Sequence, residues 1–334
     1  MSRASNQQRP SECPLPEPFP VRHIASISPK PPEAQWLVEQ LWAASGVGIL
    51  GAIPKSLKTW LACEIALAVS GGAKALGRFA AKSHGPVLFY AAEDDQADIR
   101  VRFDGIAKVR GVTLADAPIF LLDLLELRLD HRADLVRLGR TVAATGAHLL
   151  ILDPFVRVAR IDENSSQEVS AVLGGLRAIQ RQHDVAVLVV HHMRKSPSTH
   201  PGQQLRGSGD FAAWVDSGLY LARRGTDVVL TAEHRRAAAP PPFSFRLALD
   251  PAPHLVIVDH HAAPDAAPED PLAAAAVELL RRSKQPLSTV ALRDKLKVRK
   301  STLLDTLRVL RDDGLVARSD DGWGLVVDDT PTQP

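Results

Sequence analysis

The sequence contains very little cysteine, which excludes proteins held together by a disulfide framework. Cys13 and Cys63 are the two cysteines in 334 residues, and a disulfide framework needs about four or more. Reduced thiols are typical of the cytoplasm, whereas structural disulfides are typical of secreted proteins. The cysteine content therefore predicts a cytoplasmic protein.

Long hydrophobic runs are also lacking. A membrane-spanning helix needs roughly 18 or more consecutive apolar residues, and no uncharged run in this sequence approaches that length. The N-terminal segment is polar and proline-rich, without the apolar centre of a signal peptide. We therefore expect no association with a membrane.

An excess of charge of one sign is the third feature that the chain lacks. Lys and Arg total 40 against 38 Asp and Glu, which gives a net charge of +2. The overall charge therefore does not predict binding to nucleic acid, and any basic surface must be local. With 45% hydrophobic residues, the chain can form one large domain and a smaller one.

Two breaks in composition divide the chain. Residues 1–33 are rich in Pro, Ser and Gln, which predicts a flexible tail. Residues 261–269 lie in the Ala-, Pro- and Asp-rich stretch HHAAPDAAPEDP, which predicts a linker. We therefore expect a core domain at residues 34–260 and a small C-terminal domain at residues 270–328.

The core domain alternates short apolar runs with longer amphipathic stretches. The apolar runs are VGILGA, PVLFYA, HLLILD and VAVLVV. This alternation predicts an α/β fold in which parallel strands are joined by crossover helices. After about Val215 the pattern becomes strand-like throughout, which predicts an antiparallel extension of the same sheet.

The stretch GAIPKSLKT resembles a phosphate-binding loop without its glycines. In the pattern G-x-x-x-x-G-K-[ST], backbone N–H groups hold phosphates, Lys contacts them, and Ser or Thr contacts magnesium. Here Ala52 and Leu57 occupy the glycine positions. Leu57 is the more serious departure, because the position before the lysine favours a backbone conformation that glycine adopts easily. The candidate nucleotide-binding residues are Gly51, Ala52, Pro54, Lys55, Ser56, Leu57, Lys58, Thr59 and Trp60.

The order of strand, loop and helix around this stretch supports a nucleotide site. A helix N-terminus favours an anion, and Lys58 adds a full positive charge. The alternative is that Lys58 and Thr59 merely begin a helix without binding a ligand.

Carboxylates follow two other predicted strands. Asp153 ends HLLILD, where it is the candidate magnesium ligand together with Thr59, and Glu93 follows PVLFYAA as the candidate general base. The alternative is that these acids cap helices; for Asp94 and Asp95 we prefer that interpretation, since a helical pattern begins near Ala97.

A further strand, VAVLVV, ends in His191 and His192. Zinc needs three or four convergent ligands, and the sequence offers no others at ligand spacing. We therefore expect one of these two histidines to sense the terminal phosphate rather than to bind metal. Arg206, in the polar loop that follows, is either an arginine finger that stabilises the transition state or an ordinary surface arginine.

Taken in order, these motifs resemble the RepA-like branch of the RecA/DnaB-type ATPases over residues 34–260. The motifs are GAIPKSLKTW, YAAEDD, LLILDPFVR with DENSS, VVHHMRK and LRGSGDFAAWVD. In that family the residue before the lysine is not always glycine, although Ala52 remains a departure. The resemblance implies a RecA-like core, ATP and Mg²⁺ as cofactors, and a ring-forming, usually hexameric, helicase of plasmid origins. It also implies that His192 senses the terminal phosphate and that Arg206 acts on a neighbouring subunit.

The C-terminal segment resembles a winged helix-turn-helix. Asp270 with Pro271, Ser288 and Ser301 are predicted to begin its three helices, and a two-stranded wing is predicted to turn near Asp321 and Gly322. Ten basic residues and two acidic ones lie between positions 281 and 311, which indicates DNA binding. Winged helices also bind proteins, and that alternative stays open. The candidate DNA contacts are Arg299, Lys300, Ser301 and Thr302.

The sequence therefore predicts an ATP-hydrolysing homo-oligomer that works on DNA. Two alternatives remain: a nucleotide-gated DNA-binding regulator with little hydrolysis, which Ala52 and Leu57 favour, and a recombination mediator that forms filaments.

Overall fold

The computed structural model describes most of the chain. The described residues are 19–29, 31–193, 205, 207, 209–258, 271–283, 285–312, 315–319 and 322–325. Most of the expected tail, the whole expected linker at 261–269, and Arg206 therefore lie outside the described residues. In residues 19–29 the chain forms a short 3-10 helix, Ile24–Ser26, and a second one spans Pro32–Gln35.

The strands of the core and of the C-terminal segment have the following bounds. They are β1 Trp36–Val38, β2 Trp42–Ala43, β3 Val47–Ala52, β4 Lys74–Ala75, β5 Phe79–Ala80, β6 Val87–Ala91, β7 Ile119–Leu121, β8 Leu149–Asp153, β9 Ala186–His192, β10 Ser217–Arg224, β11 Asp227–His234, β12 Phe243–Ala248, β13 His254–Val258, β14 Val316–Ser319 and β15 Gly322–Leu325.

The helices alternate with these strands in the first two thirds of the chain. They are α1 Lys58–Gly71, α2 Gln96–Arg110, α3 Arg132–Thr145, α4 Phe155–Val158, α5 Ser166–His183, α6 Asp210–Trp214, α7 Pro271–Arg282, α8 Thr289–Leu296 and α9 Lys300–Asp312. A 3-10 helix, Leu114–Asp116, precedes β7. None of the helices in the described part of the chain is long and apolar enough to span a bilayer.

A nine-stranded sheet forms the centre of the described core, in the order β13-β12-β11-β10-β3-β9-β8-β6-β7. The six strands from β10 to β7 run parallel, whereas β11, β12 and β13 extend the sheet in antiparallel pairing. The expected α/β class is confirmed, as are the mostly parallel sheet and its antiparallel extension.

Both faces of the sheet are covered, which explains why its central strands read as continuous apolar runs. All six residues of β3 are buried. One hydrophobic core includes residues of α1 and α2, and the other includes residues of α3 and α5. Parallel strands with crossover helices bring their carboxyl ends to one edge of the sheet, where a binding site is expected.

The C-terminal segment forms its own small core. Leu303, Leu307 and Leu310 of α9 pack with Leu292 of α8 and Trp323 of β15, and β14 pairs with β15 in antiparallel register. Ser288 caps α8 as expected, by accepting a hydrogen bond from the N–H of Ala291 at 3.2 Å. Ser301 does not cap the third helix, because α9 already begins at Lys300.

Candidate functional site

The loop between β3 and α1 lies at the carboxyl edge of the sheet. Gly51 and Ala52 belong to β3 and are buried, so the loop itself begins at Ile53. A Cβ atom on Gly51 would lie 3.1–3.2 Å from Leu205, Tyr220 and Met193. The structure therefore places Gly51 in tight packing behind the loop.

Two residues of the loop adopt the left-handed conformation that glycine usually supplies. Leu57 has φ 60° and ψ 24° immediately before α1, and Lys55 has φ 64°. A side chain in this region costs on the order of 1–2 kcal/mol. The special φ expected before the lysine is therefore present, although the residue there is leucine.

The first turn of α1 is open to an anion. In this fully described segment, no side chain caps the helix N-terminus, so its N–H groups and the helix dipole remain available. Ser56, next to it, is fully buried, and its hydroxyl has no hydrogen-bond partner among the described residues. A buried hydroxyl without a partner is costly, and a phosphate oxygen at this loop would supply one.

Lys58 is the cation of the site. Its side chain is buried, and Nζ donates a hydrogen bond to the carbonyl oxygen of Ile53 at 3.1 Å. Burial lowers the pKa of Lys58, while the negative charges of Asp153 and Glu93 act in the opposite direction. Lys58 therefore lies within electrostatic range of both acids.

Asp153 and Thr59 meet where β8 ends beside the start of α1. The hydroxyl of Thr59 donates a 2.7 Å hydrogen bond to Oδ2 of Asp153, which is buried. Burial raises the pKa of Asp153 to about 6, against the lowering effects of the Thr59 hydrogen bond and the Lys58 charge. A carboxylate and a hydroxyl oxygen are ligands that suit Mg²⁺, so this pair fits the metal expected from the sequence.

The acids after β6 have three different partners. Glu93 forms an ion pair with Arg157 of α4, with Nε 2.8 Å from Oε1. Asp94 does not cap α2 as expected, because both of its oxygens accept hydrogen bonds from Arg102 at 2.7 and 2.9 Å. Asp95 does cap α2, by accepting the N–H of Ala97 at 2.7 Å.

The two histidines end β9, beside the strand that leads into the loop. His192 lies opposite Ala52 of β3 and is half-buried, whereas His191 is buried and stacks on Phe211 with ring centroids 4.3 Å apart. The part of the chain that the structure describes contains no cluster of three or more His, Cys, Asp or Glu suited to a metal ion.

The remaining candidates are Trp60, which follows Thr59, the residues of the C-terminal segment, and Arg206, which lies outside the described residues. Trp60 is on the first turn of α1, where its ring lies 5.9 Å below the guanidinium of Arg102. Arg299 and the first residues of α9, Lys300 to Thr302, are exposed in the C-terminal segment.

Two arginines of the site went unassigned in the sequence. Arg157 lies four residues after Asp153, and Arg102 lies in the second turn of α2. Proximity to a strand-end acid is the signal that points to Arg157. Nothing local marks Arg102, because its contact with Asp94 spans eight residues.

A cavity of about 670 Å³ lies at the other edge of the sheet. Ser45, His148 and Asp184, which line it, precede β3, β8 and β9. It is therefore at the amino ends of the strands, on the side opposite Lys58 and Asp153, and it is separate from the candidate site.

Comparisons with known proteins identify the family of the core domain. A family model described as an AAA domain (AAA_25) matches residues 10–198. Among solved structures, the RadB recombinase is 18% identical, with a TM-score of 0.46 over 61% of this chain and 88% of that one. A KaiC-like protein from Pyrococcus horikoshii OT3 is 17% identical, with a TM-score of 0.44 over 66% of this chain and 93% of that one. No curated protein matches the chain in sequence at a significant level. Because the family model covers more than half of the chain, this protein belongs to the AAA_25 family of AAA domains and contains a P-loop ATPase domain.

Proposed function

We propose that this protein binds ATP with Mg²⁺ at the β3–α1 loop and hydrolyses it, as a ring-forming motor of the RepA-like, RecA/DnaB type that acts on DNA. The observation that carries the proposal is the convergence of Lys58, Thr59 and Asp153 at one edge of the sheet, with Glu93 within electrostatic range. Three separate strands contribute to this arrangement, so a helix that merely begins with Lys and Thr does not explain it.

Each residue has a distinct part in the proposed reaction. Lys58 and the N–H groups of the first turn of α1 hold the phosphates. Thr59 and Asp153 would hold Mg²⁺, whose charge when bound offsets that of the phosphate oxygens. Glu93 accepts the proton of the water that attacks the terminal phosphorus, as the bond to the leaving ADP oxygen breaks. His192, beside Ala52, would contact the transferred phosphate.

The direct test is the rate of phosphate release from ATP. Lys58→Ala removes the buried cation of the site, and we expect it to reduce turnover by about 100-fold or more. Lys74→Ala removes an exposed lysine of β4 and is the matched control, with turnover equal to that of the natural protein. Equal turnover in Lys58→Ala and in the control would contradict the proposal.

Work on DNA is proposed from the C-terminal segment. Its three helices and antiparallel hairpin are compatible with a winged helix, and its residues 281–311 contain ten basic side chains and two acidic ones. Arg299, Lys300, Ser301 and Thr302 are the proposed contacts. DNA affinity at several salt concentrations tests this. We expect the affinity to fall steeply as salt is raised. A segment that binds only protein would show no affinity for DNA.

Assembly completes the proposal. We propose a homo-oligomer, hexameric by the RepA-like resemblance, in the cytoplasm, with Arg206 reaching the site of a neighbouring subunit. Mass measurement with and without ATP tests the assembly, and a monomer under both conditions would contradict it. Closed rings in images of the particles support a helicase, whereas open filaments support a recombination mediator.

A second function is favoured by one specific observation. Leu57 is not the glycine of the usual phosphate-loop pattern, although it holds a left-handed conformation that glycine adopts without strain, and this departure motivates a loop that binds nucleotide with slow turnover. A nucleotide-gated DNA-binding regulator would show ATP-dependent DNA affinity without DNA-stimulated hydrolysis. Measuring both in the same buffer separates the two functions.

A further inference from the structure

The contact between Glu93 and Arg157 joins the ends of two neighbouring strands. Glu93 follows β6, Arg157 lies in α4 just after β8, and their side chains meet at 2.8 Å. The backbones are joined at the same place, because the N–H of Ala92 donates to the carbonyl oxygen of Asp153 at 2.8 Å. Arg157 therefore connects the candidate general base to the segment that carries the candidate magnesium ligand.

This ion pair is too exposed to serve mainly as a stabilising contact. The Arg157 and Glu93 side chains are 61% and 44% exposed, and pairs of that kind contribute little to folding. By contrast, the neighbouring pair of Asp94 and Arg102 is half-buried and held by two hydrogen bonds. A contribution to folding stability therefore accounts for the ion pair of Asp94 with Arg102 better than for the ion pair of Glu93 with Arg157.

The geometry of the pair suits the orientation of a base. Arg157 donates to Oε1 of Glu93 through a single nitrogen, so Oε2 is left to accept a proton from water. A long, exposed glutamate has several rotamers, and holding one oxygen restricts them. A general base is effective only when it lies within hydrogen-bond reach of the proton that it takes.

We propose that Arg157 is a positioning residue, which holds Glu93 in the orientation that receives the proton during ATP hydrolysis. This inference rests on the proposed hydrolysis at the same site. Because Arg157 does not contact the nucleotide in this proposal, its removal should lower kcat and leave KM unchanged.

The test compares steady-state ATP hydrolysis in Arg157→Ala, Arg157→Lys and the natural protein, beside Lys58→Ala. We expect Arg157→Ala to lower kcat by about tenfold or more, a part of what general base catalysis contributes, with KM changed less than about twofold. Arg157→Lys retains the positive charge and should recover part of the rate. Arg160→Ala is the control: its side chain, 68% exposed in the same segment, pairs instead with Glu126 at 2.6 Å.

A double-mutant cycle shows whether Arg157 acts through Glu93. In single-turnover measurements, Arg157→Ala should cause no further loss in a Glu93→Gln background, because the group that it positions is gone. Unchanged unfolding temperatures should accompany these effects, which separates positioning from folding.

The outcomes distinguish this inference from the function on which it rests. If the natural protein and Lys58→Ala release phosphate at the same rate, the proposed hydrolysis and this inference both fail. If turnover depends on Lys58 but Arg157→Ala matches or exceeds the natural rate, or if its loss adds fully to that of Glu93→Gln, the inference about Arg157 alone is overturned.

Discussion

Thr59 donates a 2.7 Å hydrogen bond to Asp153, and the two residues lie 94 positions apart in the chain. The contact joins the first turn of α1 to the end of β8, although β9 lies between β3 and β8 in the sheet. Helix α1 therefore crosses over β9, and the Thr59 hydroxyl on its first turn reaches the buried carboxylate of Asp153.

The raised pKa of Asp153 predicts a pH dependence of stability. The pKa is about 6 in the folded protein, against 3.8 for an unperturbed carboxyl, so between these values the folded state binds more protons than the unfolded state. Stability should then fall as pH rises from about 4 to 6, by on the order of 2–3 kcal/mol. Unfolding by urea at several pH values, without nucleotide or divalent cation, measures this. Asp153→Asn should lack this part of the fall, and an identical pH profile in that variant would contradict the assignment.

The left-handed backbone at Leu57 predicts an unusual order of stability. Leu57→Gly and Leu57→Ala both remove the leucine atoms beyond Cβ, but only alanine keeps the Cβ atom that strains this conformation. We expect the glycine variant to be more stable than the alanine variant by about 1 kcal/mol. Ala171→Gly, at an exposed position within α5, is the control and should lose about 1 kcal/mol. Chemical unfolding of the three variants and the natural protein measures these differences. If glycine were less stable than alanine at position 57, as it should be at position 171, the interpretation would be refuted.

The buried hydroxyl of Ser56 predicts opposite effects on folding and binding. Ser56→Ala removes a polar group that has no partner among the described residues, so the nucleotide-free protein should gain about 1 kcal/mol of unfolding free energy. The same change should reduce the rise in unfolding temperature that ATP produces. Ser217 is a buried serine whose oxygen accepts the N–H of Ala43 at 3.0 Å, so Ser217→Ala should destabilise the fold. Destabilisation by Ser56→Ala as well would show that its hydroxyl is already satisfied.

The buried ion pair between Glu64 and Arg110 predicts a large loss of stability on truncation. Glu64 of α1 is fully buried at its side chain and accepts two hydrogen bonds from Arg110 of α2, at 2.7 and 3.1 Å. Arg110 also donates to the carbonyl oxygen of Leu255 in β13 at 2.7 Å. Arg110→Ala leaves the carboxylate buried without its cation, so we expect a loss of about 3–5 kcal/mol. Arg100→Ala, which breaks an exposed pair with Asp104, should cost less than about 1 kcal/mol. Similar losses in both variants would contradict the difference in burial.

Local chain properties predict the parts of this protein that depend on neighbours in sequence. Alternating apolar runs and amphipathic stretches determine the α/β core, because strands buried on both faces must be apolar throughout and the helices between them must cover those faces. Ser288 caps α8 and Asp95 caps α2 by accepting backbone N–H groups that lie three and two positions further along the chain. Such local hydrogen bonds can be predicted from the sequence. The places where chemistry is expected, at Lys58, Thr59, Glu93 and Asp153, follow from acids and cations at predicted strand ends.

Tertiary structure decides the partners of those residues. Asp94 resembles a helix cap in the sequence, yet it binds Arg102 instead, because the fold of α2 returns that arginine to the strand end. Likewise, the ion pair of Glu93 with Arg157 and the buried pair of Glu64 with Arg110 join segments 64 and 46 residues apart. Sequence patterns report burial and local hydrogen bonding, which involve near neighbours. The pairing of distant side chains depends on strand order and on helix crossings, and these are set only when the whole sheet has assembled.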